Sequence, residues 1–303
     1  MSDLPAPDHE VEESRRDGGP GGSTSTQALY LAAPDQAEEP LAGGNSTTVV
    51  RSGDTVRRTA GPWTPTVQAL LRHLRAQGVT EVPEPLGTDD QGREVLSFLP
   101  GDVGNYPLPP WVWDDAVLRD AGALLRRVHD ASVGFLDTGA AALVPDAPPA
   151  PVWQTAPHEP AEVVCHNDVA PYNMVFRDGT LVGLIDFDTA SPGPRIWDLA
   201  YLGYRLAPLV ADAGESEGSD VVGRLDPMAR LDALVSAYGM PYSRREVLTT
   251  VVARLDELAA FTDERATATG RADFREHAAM YRADARRAQA LADASSASPV
   301  LPA

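Results

Sequence analysis

The chain has 303 residues, 43% of them hydrophobic, which is enough for one large domain or two lobes with real cores. A formal net charge of -19 excludes a backbone-reading nucleic-acid binder, because phosphates would be repelled; it would attract a cationic small molecule, although solubility alone accounts for it more simply. There is no run of about 18 apolar residues to span a membrane, no basic start with an apolar core to act as a signal peptide, and a single cysteine, Cys165, so no internal disulfide; a cytoplasmic location is expected.

Residues 1–40 are rich in Asp, Glu, Gly, Pro and Ser and read as a disordered acidic tail, since they cannot offset their ordering entropy by burial. The next part, 41–100, opens with two β-prone runs, Thr47 to Arg51 and Thr55 to Arg58, around Ser52-Gly53-Asp54, a hairpin pattern. A helix follows, with Thr64 as cap, Pro65 in its first turn, Val67, Leu70, Leu71 and Leu74 on one face, and Gly78 as its stop. "REVLSFLPGD" reads as a strand entering a Pro-Gly linker.

From Trp113 helices dominate, with an apolar stripe of Val117, Ala121, Leu124, Leu125 and Val128. A second long helix starts at a capping box, Ser243 and Glu246, and carries Val247, Val251, Leu255 and Leu258. "ADAGESEGSD" between them reads as a loop, and 291–303 as a flexible tail after a helical part spanning 101–290. The coarse map is α+β: a small sheet lobe, then a larger helical lobe.

A short β segment interrupts the helices. Val163 to Cys165 reads as a buried strand, and "MVFRDGTLVGLIDFD" as a hairpin turning at Asp178-Gly179. Asp168 and Asn173 then sit on a loop, and an antiparallel return brings Asp186 to the same end as Asn173. An amide oxygen and a carboxylate suit Mg²⁺, and the remaining carboxylate can orient a hydroxyl. These are parts for phosphoryl transfer.

"HNDVAPYN" resembles the H-x-D-x-x-x-x-N catalytic loop of the aminoglycoside phosphotransferase family, within the protein-kinase-like superfamily, and "LIDFDTASPGPRIWDLAY" resembles its metal-binding segment. The resemblance covers roughly Pro40 to Asp284. It implies a protein-kinase-like two-lobed fold, with a small antiparallel β N-lobe and a mainly helical C-lobe. It implies Asp168 as catalytic base, Asn173 and Asp186 as Mg²⁺ ligands, and His166 and Asp198 as structural supports of the loop. Asp188 receives no firm role, and Cys165 reads as strand core.

For the nucleotide, the resemblance points to a loop containing Gly43, Gly44 and Asn45 and to a cation on the third strand. Arg58 stands where the superfamily has Lys, with Arg57 as the neighbouring choice; Val67 stands where a helix Glu would pair with it. A hinge is expected near Val95 to Gly101. Acidic groups for a cationic acceptor are sought at Asp256, Glu257, Asp263 and Glu264, which also read as ordinary helix charges. The implied activity uses ATP or GTP with Mg²⁺ to phosphorylate a hydroxyl of an aminoglycoside-like compound, amino alcohol or sugar, with no nucleic-acid, membrane or protein partner expected. The rival is a non-catalytic nucleotide-binding pseudokinase or regulatory protein.

Overall fold

In the computed structural model, residues 37–41, 49–138, 150–209, 222–295 and 299–300 are described. The segment before residue 37, Gly43, Gly44 and Asn45, and residues 211–220, where the sequence predicts a loop, lie outside them.

Strands β1 (Glu39–Pro40), β2 (Val49–Ser52), β3 (Thr55–Thr59), β4 (Pro85–Thr88) and β5 (Arg93–Ser97) form an antiparallel sheet in the order β1-β2-β3-β5-β4. The β2–β3 turn uses Gly53 at φ 60°, which glycine adopts without steric cost. The described residues begin inside the stretch that composition assigns to the tail. Glu39 and Pro40 pair with Arg51 and Val50, and the Glu38 carboxylate bridges Arg57 and Arg93. Backbone pairing and two ion pairs thus order a segment that has no apolar anchor of its own.

Helix α1 (Thr64–Ala76) buries Val67, Leu70, Leu71 and Leu74 as the helical spacing predicts. Its start differs from the expectation. Thr64 is the first helical residue, not the cap, and its hydroxyl accepts the Gly61 N–H at 2.9 Å, closing the turn that precedes the helix. Gly78, at φ 89°, ends it.

The second half is built on α2 (Asp115–Thr138), α3 (Arg195–Leu206), α4 (Pro227–Tyr238), α5 (Arg244–Thr269) and α6 (Ala272–Ala294). The predicted α2 stripe is buried throughout. At the head of α5, Ser243 Oγ accepts the Glu246 N–H and the Glu246 carboxylate accepts the Ser243 N–H, a complete capping box. One continuous apolar core runs from α1 through α2 and α3 to α5.

Between α2 and α3 lies the β segment. β7 (Val163–Cys165) pairs with β10 (Ser191–Gly193), and β8 (Met174–Arg177) with β9 (Thr180–Leu184), while β6 (Asp102–Val103) lines the other edge of β8. The β8–β9 turn holds Asp178 and Gly179 at φ 50° and 76°, the two left-handed residues that a tight hairpin requires. Gly101, in the linker from the sheet to the helical half, passes so close to β8 that a Cβ would stand 2.4 Å from the Phe176 carbonyl oxygen. This close approach sets the two halves against each other around a cleft. No helix among the described residues is long and apolar enough to cross a membrane.

Candidate active site

Strand β7 delivers the chain to His166, Asn167 and Asp168. Asn167 sits at φ 65°, a left-handed value uncommon outside glycine, so the backbone turns sharply before the acid. The turn is held from beneath by Asp198 on α3, which is fully buried. Its carboxylate accepts the backbone N–H groups of His166 at 2.6 Å and Asn167 at 2.9 Å, and lies 3.1 Å from His129 Nε2. Burial alone would raise this carboxyl; the bonds from His129 and His166 outweigh it and hold it below the ordinary Asp range. The His166 ring ties the loop to the hairpin. Nε2–H donates to the Ile185 carbonyl at 2.9 Å, and Nδ1 accepts the Asp168 N–H at 3.2 Å.

A one-turn helix at Pro171–Asn173 then leads into β8. Asn173 and Asp186 meet because β8 and β9 are antiparallel: Met174 faces Leu184, and the Ile185 N–H donates to the Asn173 carbonyl at 2.9 Å. The Asn173 Nδ2 donates to the Asp168 carbonyl and to Asp168 Oδ2 at 2.8 and 2.9 Å, which leaves Oδ1 as the free ligand atom of the amide. The other carboxylate oxygen of Asp168 accepts the Tyr172 hydroxyl at 2.6 Å. Asp168 stays partly exposed, its orientation fixed by two donors.

Asp186 also takes a left-handed backbone, φ 63° and ψ 64°, and its carboxylate is half exposed. Arg58 reaches across from β3. Its Nε donates to Glu94 at 2.6 Å, and its two terminal nitrogens to Asp186 at 2.9 Å and Asp188 at 2.5 Å. Burial opposes the guanidinium charge, but Glu94, Asp188 and Asp186 more than offset it. Burial also pushes Asp188 up to about 6, against the pull of Arg58.

Strand alternation resolves the choice between the two arginines. Arg58 faces the cleft, while Arg57 points to the opposite face and bonds Glu38 at 3.1 Å. The helix offers Arg58 no carboxylate, as the sequence predicts, but a strand does. Val67 is indeed core, but Glu94 on β5, directly opposite Arg58 in the ladder, replaces a helix Glu, and Gln68 of α1 holds it at 3.3 Å. The missed signal is an acid between Arg93 and the apolar pair Val95-Leu96 of a buried strand. Sequence reading also passed over Tyr172 and Arg205, which appear only as loop and helix residues until the fold brings them together.

The cleft holds about 400 Å³. Val56, Leu96 and Phe98 line it near the linker, and Arg58, Asn173 and Asp186 at the other end. One apolar end and one charged end suit a base joined to phosphates. Three carboxylates face a single guanidinium at the charged end, an excess of negative charge beside the free Asn173 Oδ1. That donor set fits a hard divalent cation with oxygen ligands.

The sequence profile of the phosphotransferase enzyme family matches residues 38–233, more than half of the chain. The chain belongs to that family. A trifolitoxin immunity protein from Rhizobium leguminosarum bv. trifolii is 36% identical over 212 residues, 68% of this chain and 75% of the relative. Among solved structures, a choline/ethanolamine kinase family protein from Mesorhizobium loti superposes with a TM-score of 0.52 at 18% identity, covering 84% of this chain and 88% of its own. A spectinomycin phosphotransferase in complex with ADP and spectinomycin gives 0.53 at 13%, covering 84% and 93%. A Plasmodium vivax ethanolamine kinase gives 0.54 at 11%, covering 82% and 81%. These likenesses establish the two-lobed protein-kinase-like fold for this member of the phosphotransferase enzyme family.

Proposed function

We propose that the chain is an ATP- and Mg²⁺-dependent kinase that phosphorylates a hydroxyl of a small molecule. The observation that carries this reading is the meeting of Asn173, Asp186 and Arg58 in the cleft, with Asp168 bonded to the Asn173 amide beside it. Asp168 orients the acceptor hydroxyl and takes its proton, while Tyr172 and Asn173 fix the carboxylate. Asn173 Oδ1 and Asp186 would hold Mg²⁺, which when bound neutralises phosphate charge. Arg58 supplies charge to the phosphates by exchanging one of its carboxylate partners for them. The apolar end of the cleft receives the purine of ATP or GTP, and the ADP in the spectinomycin phosphotransferase structure supports a nucleotide there. A name such as immunity protein for a relative fits a kinase that inactivates a small toxic compound.

One observation favours a second reading. Arg58 already bonds three carboxylates, and if none of them yields, the chain is a pseudokinase without phosphate binding. Asp168→Asn, compared with wild type for MgATP affinity by calorimetry and for phosphotransfer on an acceptor panel, tests the kinase. Turnover should fall about 10²–10⁴-fold with nucleotide affinity kept, as expected for loss of a general base. Equal turnover removes Asp168 from its role; a wild type that binds no nucleotide with Mg²⁺ present selects the pseudokinase.

A further inference from the structure

Beside Asp168 lies a group of tyrosines around one arginine. Tyr172, which donates to Asp168, itself accepts from Arg205 Nη2 at 3.2 Å. Arg205 Nε donates to the Tyr201 hydroxyl at 3.2 Å and Nη1 to the Tyr106 hydroxyl at 3.0 Å. Its guanidinium carbon lies 5.2 to 6.0 Å from the ring centres of Tyr106, Tyr172, Tyr201 and Tyr204. Among the described residues, no carboxylate pairs with it. Three of its five N–H donors therefore end on neutral phenol oxygens, and the partly exposed guanidinium has no counter-charge among the described residues.

Two further facts bear on what this arginine awaits. A group of tyrosine rings is the kind of cage that captures a quaternary ammonium, but here the chain's own guanidinium occupies it. Two of the four acids that might have drawn a cationic acceptor are also engaged. Glu257 bonds His158 at 2.8 Å and lies 3.6 Å from Arg254, and Asp263 pairs with Arg282. Arg254 in turn lies 5.0 Å from the Tyr201 ring and donates to the Asn167 carbonyl, so a second cation borders the same tyrosine and the catalytic loop.

Resting on the kinase reading above, we infer that the acceptor is a hydroxy acid: its hydroxyl meets Asp168 and its carboxylate meets Arg205, two hydrogen bonds away through Tyr172. A carboxylate displaces phenol oxygens from the guanidinium because it is the stronger, charged acceptor. Tyr106 is 40% exposed, so the outermost donor is the one most easily reached. The same arrangement rejects choline-like acceptors, whose cation would face Arg205 inside the cage.

The test uses the full chain, wild type and the variants Arg205→Gln and Tyr106→Phe. Each is titrated with D-glycerate, gluconate, glycerol, sorbitol and choline, with and without a non-hydrolysable MgATP analogue, and ADP release from MgATP is read on the same panel. Wild type should bind each acid at least about tenfold tighter than its neutral partner, a difference of about 1.4 kcal/mol. Arg205→Gln should erase that preference and leave nucleotide affinity unchanged. Tyr106→Phe removes a competing acceptor at an exposed position and should tighten acid binding. Choline preferred over the acids, or no acid preference in wild type, overturns the inference. So does an Arg205→Gln variant that loses kcat on every acceptor while keeping its acid preference, because the arginine then only positions Asp168. If that variant does not fold, unchanged acid affinity in Tyr106→Phe overturns it alone. Acid binding without ADP release on any acceptor keeps the acid site and removes the kinase.

Discussion

Arg58 and Glu94 face each other across β3 and β5, and both are buried. Glu94→Gln removes the most buried of the three carboxylates on Arg58 and leaves Asp186 and Asp188 to hold it, so it should cost about 1.5–3 kcal/mol of stability, as for a lost charge-assisted bond. Nucleotide affinity should fall with it, because Arg58 loses the partner that aims it. Denaturant unfolding and calorimetry check both; unchanged stability would show that Asp186 and Asp188 suffice to hold Arg58. Asp198 makes a different case, since its charge is matched by donors of the loop it supports. Its carboxyl is held below the ordinary value of 3.8, so its contribution is fully present above that value and is lost as pH falls through the folded-state value. Asp198→Asn should therefore lower the melting temperature markedly at pH 7, with the gap to wild type narrowing below pH 3.8. A gap independent of pH would mean that packing, not charge, is what the substitution disturbs.

At the scale of elements, the β8–β9 hairpin and the β7 loop place the site, and α5 supports the helical half. The capping box of α5 is remote from the cleft in its chemistry. Ser243→Ala removes the acceptor of the Glu246 N–H and should cost about 1 kcal/mol. Nucleotide affinity should not change. A loss of affinity together with stability would show that α5 communicates with the cleft, as it could through Arg254 and the Asn167 carbonyl.

For the whole molecule, charge is the governing quantity. The formal net charge is -19, and a small part of that excess lies where Glu94, Asp186 and Asp188 share one arginine. Burial raises Asp188 from 3.8 to about 6, so the folded state holds this proton more tightly than the unfolded chain. The resulting stability is fully present below 3.8 and drains away as pH rises through about 6. Asp188→Asn should therefore flatten the stability profile of the metal-free protein between those two values. Mg²⁺ should raise the melting temperature of wild type at pH 7.5 and chelation should reverse it, with a smaller rise at pH 5, where Asp188 carries its proton. Calorimetric melting at the two pH values decides this; an equal Mg²⁺ effect at both would separate Asp188 from the metal's surroundings.

Much of the site was legible because its determinants are local. The H-x-D-x-x-x-x-N spacing, the Asp178-Gly179 turn that returns Asp186 to Asn173, the α1 and α2 stripes and the Ser243–Glu246 capping box each depend on residues a few positions apart, where backbone geometry and periodicity decide the outcome. What only the tertiary structure decided joins residues far apart in the chain. Glu94 meets Arg58 across 36 positions because strand order and register place them opposite. Arg58 rather than Arg57 enters the cleft because the sheet presents one face to it. Arg205 reaches Tyr106 across 99 positions because the fold brings the end of α3 to the segment after β6, and no local pattern marks an arginine for a cage of tyrosines. Turn chemistry and helical period act within a few residues, whereas pairing of charges depends on which surfaces the folded core brings face to face.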